Sequence, residues 1–568
     1  MSEVEREAME YDVVIVGAGP VGLLTALLLE KVGLDYLVVE RRPALHIAPQ
    51  AHVITSRSLE ICRSIGLSDM PIRAAGPKAL DTVNIRWVDR LAGRDLGLFS
   101  LVSDPAAVQR MMSNSPTPTT NLSQDKFEQL LFDQLPDSAK VRFEHAWQDF
   151  VPSAEGCTST LTGPKGETLV VKSDYLIGAD GAGSRVRKAV GANMVGPDKL
   201  QTFINIHFTA DLRELLSGRE GILYWVMEKE CEGTFIAHDI DRNWIFMKTV
   251  DADESIDPID EKKYSALLYK AIGADVDVTI NSMNAWRMTA QISDAYQSGR
   301  VFLAGDAAHR FPPTGGIGMN TGFQDAHNLV WKIAMVERGL DPTLLDTYQV
   351  ERKPVAEINT EKSLVNAVKM SEVARVLDVD GDKQVSMSDL DVVMADPERC
   401  AEVQRAIDGQ AAHFNMSGLD LGFCYTSSAV RTDGVPPQSD DPVSRYLPSV
   451  TPGARLPHAW LSAGETRKST LDLIKYGHLA VLATAPAIDI EEAVGRIRES
   501  GYPIDLAVFG TGADLKLEDN SFHELFKGKV LLVRPDGHIA ARFESSSAAR
   551  ELVDVVSALF PRAQASLS

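Results

Sequence analysis

The stretch YDVVIVGAGPVGLLTALLLEKVGLDYLVVERR, residues 11–42, decides the architecture. It opens with an apolar run that reads as a buried strand, turns at a glycine cluster, continues as an apolar-periodic helix and closes with a second strand ending at Glu40. Strand, helix and strand of this kind run parallel, which implies an α/β sheet covered on both faces. The turn is Gly17-Ala18-Gly19-Pro20-Val21-Gly22. Its first glycine permits the tight turn, its second lets the main chain approach a pyrophosphate, and its third lets helix and strand pack closely. The helix N–H groups favour phosphate, and a carboxylate at Glu40 can accept a ribose hydroxyl. The alternative is a glycine turn needed only for packing.

Outward from this unit, Thr55 to Gly66 has helical spacing, and Ser123 stands as a capping residue ahead of Phe127, Leu130 and Leu131. From Thr202 to Met288 the pattern becomes short alternating stretches such as FINIHFTA and GTFIAHDI, expected to form a mostly antiparallel sheet. The nucleotide-type pattern returns with GRVFLAGDAAH, so the antiparallel region is inserted within the first domain. Pro342 to Phe414 reads as helical, and GVPPQSDDPVSRYLPSVTPG as a linker. Beyond it, HLAVLATA and DLAVFG are strands around a helix, and KVLLVRPDGHIAARF is a hairpin turning at Pro535-Asp536-Gly537.

The bulk properties exclude several classes. At 568 residues the chain needs two or three packed domains. Its 57 Lys and Arg against 79 Asp and Glu give a net charge of -22, which disfavours nucleic acid and anionic membranes. No apolar run approaches the roughly 18 residues of a bilayer span, and the acidic N-terminus lacks a secretory pattern. Five scattered cysteines, none in a C-x-x-C, suit a reducing cytoplasm and form neither a disulfide framework nor a zinc knuckle. No metal site is expected. Asp378 to Asp389 imitates a calcium loop but has Lys383 where the turn calls for Gly and Asp389 where a bidentate Glu is usual.

Two further motifs carry chemistry. Tyr175 to Arg187 (YLIGADGAGSRVR) is a strand entering an acidic, glycine-rich turn, which at its plainest is a turn capped by Asp180. Gly305-Asp306-Ala307-Ala308-His309 leads through Phe311-Pro312-Pro313-Thr314 to a glycine-rich approach and a helix starting near Gly322. There Asp306 could bind a ribityl hydroxyl while main-chain N–H groups approach a flat ring.

With GAGPVG, GADGAGSRVR and GDAAHRFPPTGGIGMNTGFQDAHNLVWKIA in this order, the chain resembles the class A flavoprotein aromatic hydroxylases, particularly the phenol and chlorophenol hydroxylase group. The resemblance is strong over about the first 350 residues, and AHVITSRSLEI, LGFCY and GARLPHAWL extend it. It implies an α/β, Rossmann-like FAD-binding domain with an inserted antiparallel substrate domain (the PHBH-type fold) and a C-terminal thioredoxin-like domain. The implied division is 1–200 with 285–350 for FAD, 201–284 with part of 76–110 for substrate, a helical segment and linker over 351–430, and 431–568 thioredoxin-like without C-x-x-C.

The implied cofactor contacts are Gly17, Gly19, Pro20, Gly22, Glu40 and Arg41 toward the adenosine and pyrophosphate, with Gln124 near the flavin's phosphate or ribityl part and Asp306 on the ribityl or pyrophosphate side. Pro313, Gly318, Met319 and Asn320 would lie beside the isoalloxazine, while Asp180, Gly181 and Arg185 would serve both FAD and NAD(P)H. Gln50 is a departure, since many relatives carry Arg there. In the family, NAD(P)H reduces FAD, and O2 then forms a C4a-hydroperoxide that hydroxylates the ring. Protein groups keep water out.

A base near the substrate hydroxyl is expected. His52 is the candidate, because the chlorophenol branch carries His at the matching place, and Arg57 follows on the same segment; a structural histidine is the alternative. Tyr224, Trp225 and His238 are pocket candidates or plain core. The resemblance also implies a homodimer. An FAD-dependent halogenase, whose W-x-W-x-I-P segment is absent, and a non-catalytic flavin-binding protein are the other readings. Lacking cysteine after Cys424, the C-terminal domain cannot exchange dithiols, leaving packing, dimer contact or support as its roles.

Overall fold

Val13 to Val16 and Tyr36 to Val39 have no polar side to offer water, so both runs enter the interior. In the computed structural model, which describes residues 9–563 except 138–139, 251–255, 257, 380, 382–383, 511 and 520–521, strands Met9–Val16 and Tyr36–Val39 pair in parallel around helix Pro20–Val32. Strands Thr168–Gly178 and Val301–Leu303 join on one side and Val141–Arg142 on the other, all parallel. Helix Gly318–Glu337 lies against the Pro20–Val32 helix. Their close approach needs Gly322, where a Cβ would press on Val21 and on the backbone of Gly305.

The second sheet has seven strands, in the order 279–288, 201–209, 243–250, 233–239, 223–226, 84–88 and 95–100. All neighbours are antiparallel except Leu223–Val226 with Asn84–Val88. Alternation along each strand gives the sheet two faces. Ile204, Ile206, Phe208, Trp244 and Phe246 share a core with Tyr264 and Leu268 of helix Glu261–Ile272. On the other face, Ile85, Trp87, Leu223 and Trp225 are covered by helices between residues 371 and 408. Tyr224 is plain core, its hydroxyl donating to the Arg219 carbonyl.

The C-terminal unit pairs Leu479–Ala483 with Ile504–Val508 in parallel and with Lys529–Val533 in antiparallel, and Ile539–Glu544 completes the thioredoxin-like sheet. Its hairpin turn drives charge into the first domain. Arg534 donates two hydrogen bonds to Glu351, at 2.6 and 2.8 Å, and Lys332 donates to the same carboxylate at 2.9 Å. All three side chains are fully buried. Arg455 pairs with Glu60 nearby. Buried ion pairs thus attach the C-terminal unit to the first domain.

Two local expectations need correction. The long helix begins at Gly318, one turn earlier than Gly322. Ser123 does occupy the N-cap of helix Gln124–Asp133, but its buried hydroxyl makes no hydrogen bond among the described residues, while the first helical N–H, that of Gln124, donates to the Ala51 carbonyl at 2.8 Å. Of the calcium-like segment, Asp380, Asp382 and Lys383 lie outside the described residues, while Asp389 forms a capping box with Ser386. No helix among the described residues is long and apolar enough to cross a membrane.

Removing one member of a buried ion cluster strands the others, at a cost of about 3–5 kcal/mol. Glu351→Ala should therefore bring forward the denaturant-induced unfolding of the C-terminal unit, with Glu351→Gln intermediate. Unchanged unfolding curves would show that the cluster does not hold the domains together.

Candidate active site

Three turns converge on one cradle at the ends of the parallel strands. In the first, Gly17 adopts φ 106°, and a Cβ there would strike the Ala179 carbonyl oxygen. A Cβ on Gly22 would strike Gly17. Both glycines are therefore required by packing. Gly19 differs, with an ordinary φ of -76° and nothing within 4 Å of where its Cβ would stand. The space beside it is open, with Pro20 starting the helix behind it.

Glu40, at the end of the second strand, accepts from the Ala18 N–H at 2.9 Å and from the backbone and guanidinium of Arg42. Burial opposes its charge, but Arg42 and the two N–H groups hold its pKa below the usual carboxylate range. A ribose hydroxyl reaching it must share or displace Arg42, since these four bonds use the lone pairs of a carboxylate. Arg41 beside it points to solvent.

The second turn is more self-contained than its motif suggests. Asp180 accepts from the Ser184 hydroxyl at 2.5 Å and the Arg185 N–H at 2.6 Å, so it caps helix Arg185–Ala189. Arg185 donates to the Trp147 carbonyl, whereas Gly181, at φ 77°, has open space around it. Arg187, not among the candidates, ties this turn to the third through the Ala307 carbonyl at 2.9 Å.

In the third turn, Asp306 makes no hydrogen bond among the described residues and is exposed, yet dense surrounding protein raises its pKa. Its carboxylate is thus walled in by protein yet reachable. The turn is braced by Asp325, which accepts from the Gly305 N–H at 3.1 Å, His309 at 2.6 Å and Arg352 at 2.8 Å. Nothing in local spacing signals this cluster.

Beyond exposed Pro313 the long helix starts with no side-chain cap, leaving the N–H groups near Gly318 and Met319 with the positive end of a helix dipole. The Asn320 amide bonds to Val53, Thr55, Ser58 and Gly316, which fixes the first turn of this helix against residues 53–58. Gln124 donates to Glu128 at 2.8 Å and only distantly, at 3.4 Å, to exposed Gln50.

His52 immediately precedes the short strand Val53–Ile54 that Asn320 fixes. The His52 ring makes no hydrogen bond among the described residues, and burial lowers its pKa to about 4. Arg57 is not beside it in function: its guanidinium is fixed to Glu60 at 3.2 Å and to the Asp536 carbonyl at 2.6 Å, so the expectation of a catalytic arginine is corrected to a domain contact. Across from His52 stands His238 of the seven-stranded sheet, ring centroids 5.5 Å apart and edge to face. Trp225 stays within the covered part of that sheet, near Trp87.

An open cradle at Gly19, a reachable unpaired carboxylate at Asp306 and an uncapped helix N-terminus suit a dinucleotide with a flat ring. Comparisons agree. An FAD-binding domain family matches residues 10–363, and an aromatic-ring hydroxylase C-terminal family matches 449–563. The chain is 31% identical to 2,4-dichlorophenol 6-monooxygenase of Cupriavidus pinatubonensis, over 98% of this chain and 97% of that protein. It is 33% identical to aklavinone 12-hydroxylase RdmE of Streptomyces purpurascens, over 95% and 96%. The crystal structure of the flavin-dependent monooxygenase PieE with FAD and substrate superposes with a TM-score of 0.90 at 30% identity, covering 97% of this chain and 99% of that one.

The contrast among the glycines gives a test. Gly19→Val should fold, since space and φ both admit a side chain, yet lose most bound flavin, read as the yellow absorbance of purified protein. Gly22→Val should fail to fold. Full flavin content in Gly19→Val would remove the pyrophosphate from this turn.

Proposed function

This chain belongs to the class A flavoprotein aromatic hydroxylases, and from that premise we propose that His52 receives the proton of a phenolic substrate at the face of the seven-stranded sheet. The protein is an FAD-dependent monooxygenase that hydroxylates an electron-rich aromatic ring at the expense of NAD(P)H and O2. When bound, FAD takes a hydride from NAD(P)H and activates O2, so that one oxygen atom enters the ring and the other leaves as water.

In our reading, the Gly17 to Gly22 turn, Glu40 and Arg41 hold the adenosine and pyrophosphate. Gln124, Gln50 and Asp306 hold the ribityl chain, and Gly181 and Arg185 attend the NAD(P)H side with Asp180 shaping their turn. The N–H groups at Gly318 and Met319 face the flat ring, where a helix N-terminus favours negative charge. Residues 1–200 with 285–350 then act as the cofactor domain and the inserted sheet as the substrate wall. Its apolar face excludes water from the reacting ring.

The observation that carries the proposal is the unbonded His52 ring next to the strand that Asn320 fixes to the start of the long helix. Held neutral, it offers a lone pair to a phenol hydroxyl. As the proton passes to imidazole, the electron pair stays on oxygen and enriches the ring for electrophilic attack. We propose a cytoplasmic homodimer as the working form, which light scattering at twice 61.9 kDa tests.

His52→Ala should lower kcat/KM by about 10²–10⁴-fold while the flavin is retained. The pH profile is diagnostic. A base must be neutral to accept a proton, so activity is lost as pH falls through its pKa; with that lowered to about 4, kcat/KM should stay level from pH 8 to 5. The same depressed pKa means the unfolded chain binds more protons below the ordinary histidine value of about 6.5, so stability also declines on acidification. Rates must therefore be taken on protein verified as folded. An acid limb near 6.5 in folded enzyme, or full activity in His52→Ala, would contradict the assignment.

A further inference from the structure

His238 is the least explained polar side chain of the molecule. It is 2% exposed, and neither ring nitrogen has a hydrogen-bond partner among the described residues. Burying an imidazole this way forfeits the bonds that water supplied to both nitrogens, a penalty that folded proteins otherwise avoid. Other core histidines among the described residues leave at most one ring nitrogen in this state: His458 meets Ser469 at 2.8 Å and His538 meets the Gly453 carbonyl at 2.9 Å, while His327 and His413 each have one buried nitrogen unpartnered.

Its placement is equally specific. The register puts Ile236 opposite Ile245, on the face away from the Glu261–Ile272 helix, and His238 follows two residues later on that same face. A bulge comes immediately after: Ala237 pairs with Trp244 and Asp239 with Asn243, leaving His238 without a partner residue. Such bulges re-aim side chains and cluster near active sites. Here the ring turns toward His52 of the other domain. Around it, Thr234, Ile236, Ile245, Met247 and Asn205 share the face, none of them charged. His207 lies on that face as well, opposite Ile245, and Lys126 of the cofactor domain is near enough to disfavour a charged His238, while Asp239 at the rim pairs with Arg242 at 3.0 Å.

We propose that His238 is a second substrate-contacting residue, which holds the phenolic oxygen from the sheet side while His52 holds it from the cofactor domain. This rests on the His52 reading above. A phenol hydroxyl is both donor and acceptor, and a neutral imidazole offers one N–H and one lone pair, so one oxygen satisfies both rings. With the ring centroids 5.5 Å apart and in edge-to-face contact, the bridging oxygen sits beside the pair rather than between the rings, about 2.8 Å from one nitrogen of each. When the O–H bond breaks, the proton goes to a His52 nitrogen and the electron pair remains on oxygen, facing the His238 N–H. Substrate binding thereby closes the two domains on one atom, and both orphaned nitrogen sites of His238 need not be filled for the contact to form.

The test uses the FAD-loaded enzyme and two probes, 1-naphthol and 1-methoxynaphthalene, with binding read from the flavin spectrum. Wild type should prefer the naphthol. His238→Phe should weaken naphthol by about tenfold, the loss of one hydrogen bond, and leave the methyl ether and FAD content unchanged. His238→Asn, which keeps a donor, should recover part of the loss. Equal naphthol affinity in wild type and His238→Phe, or a wild type that does not distinguish the two probes, overturns the proposal. His52→Ala run alongside separates the claims: unchanged turnover in that variant overturns the proton-acceptor reading, whereas unchanged naphthol binding in His238→Phe overturns this one.

Discussion

One side-chain amide couples the two halves of the site. Asn320 accepts from the Thr55 N–H at 3.0 Å and the Ser58 hydroxyl at 2.7 Å, and donates to the Val53 carbonyl at 2.9 Å and the Gly316 carbonyl at 2.7 Å. It is buried, so each bond is made without competition from water. The consequence is a fixed offset between the uncapped start of the long helix and the strand Val53–Ile54 that follows His52. The turn leading into that helix is equally constrained: Gly316, at φ 64°, lies so close to Val53 that a Cβ would press on it. A fixed base is useful only beside a fixed cofactor, and this amide joins the segments that provide them.

The elements that Asn320 joins are also braced from behind. Helix Ser56–Ser64 presents Arg57 and Glu60, and the long helix presents Asn328, Trp331 and Lys332, to the hairpin turn and linker of the C-terminal domain. Buried ion pairs are poor sources of net stability but are intolerant of displacement, because an unpaired charge in the interior is costly. That intolerance suits a support. The attachment needs no redox chemistry, and no cysteine follows Cys424 in the chain.

Asp180 and Arg57 show how motif and role separate. Asp180 sits in the acidic turn that the motif marks, yet its carboxylate caps a short helix, and the open space of that turn lies at Gly181. Arg57 shares a segment with His52, but its guanidinium is held by Glu60 and by the Asp536 carbonyl of the C-terminal hairpin. Neighbours in sequence are placed by local geometry, and a single helical turn suffices to send them to different surfaces. His238 is the reverse case: it belongs to the inserted sheet, and only domain packing brings it to His52.

The sequence by itself determined what contiguous residues can encode. Residues 11–42 specified the parallel unit and its glycine turn, because strand, turn and helix follow from apolar period and from which positions tolerate a Cβ. The three ordered motifs likewise announced the cofactor class, and alternation from Thr202 to Met288 announced the inserted sheet. Tertiary structure alone decided which of the marked side chains remain free. Glu40, Asp180, Arg57 and Asn320 found protein partners, whereas Asp306 and His52 did not. It also decided the Asp325 cluster, the Glu351 cluster and the facing of His52 by His238. The physical reason is that hydrogen bonds and ion pairs are satisfied by proximity in space, and these partners come from segments far apart in the chain, which no local pattern can bring together.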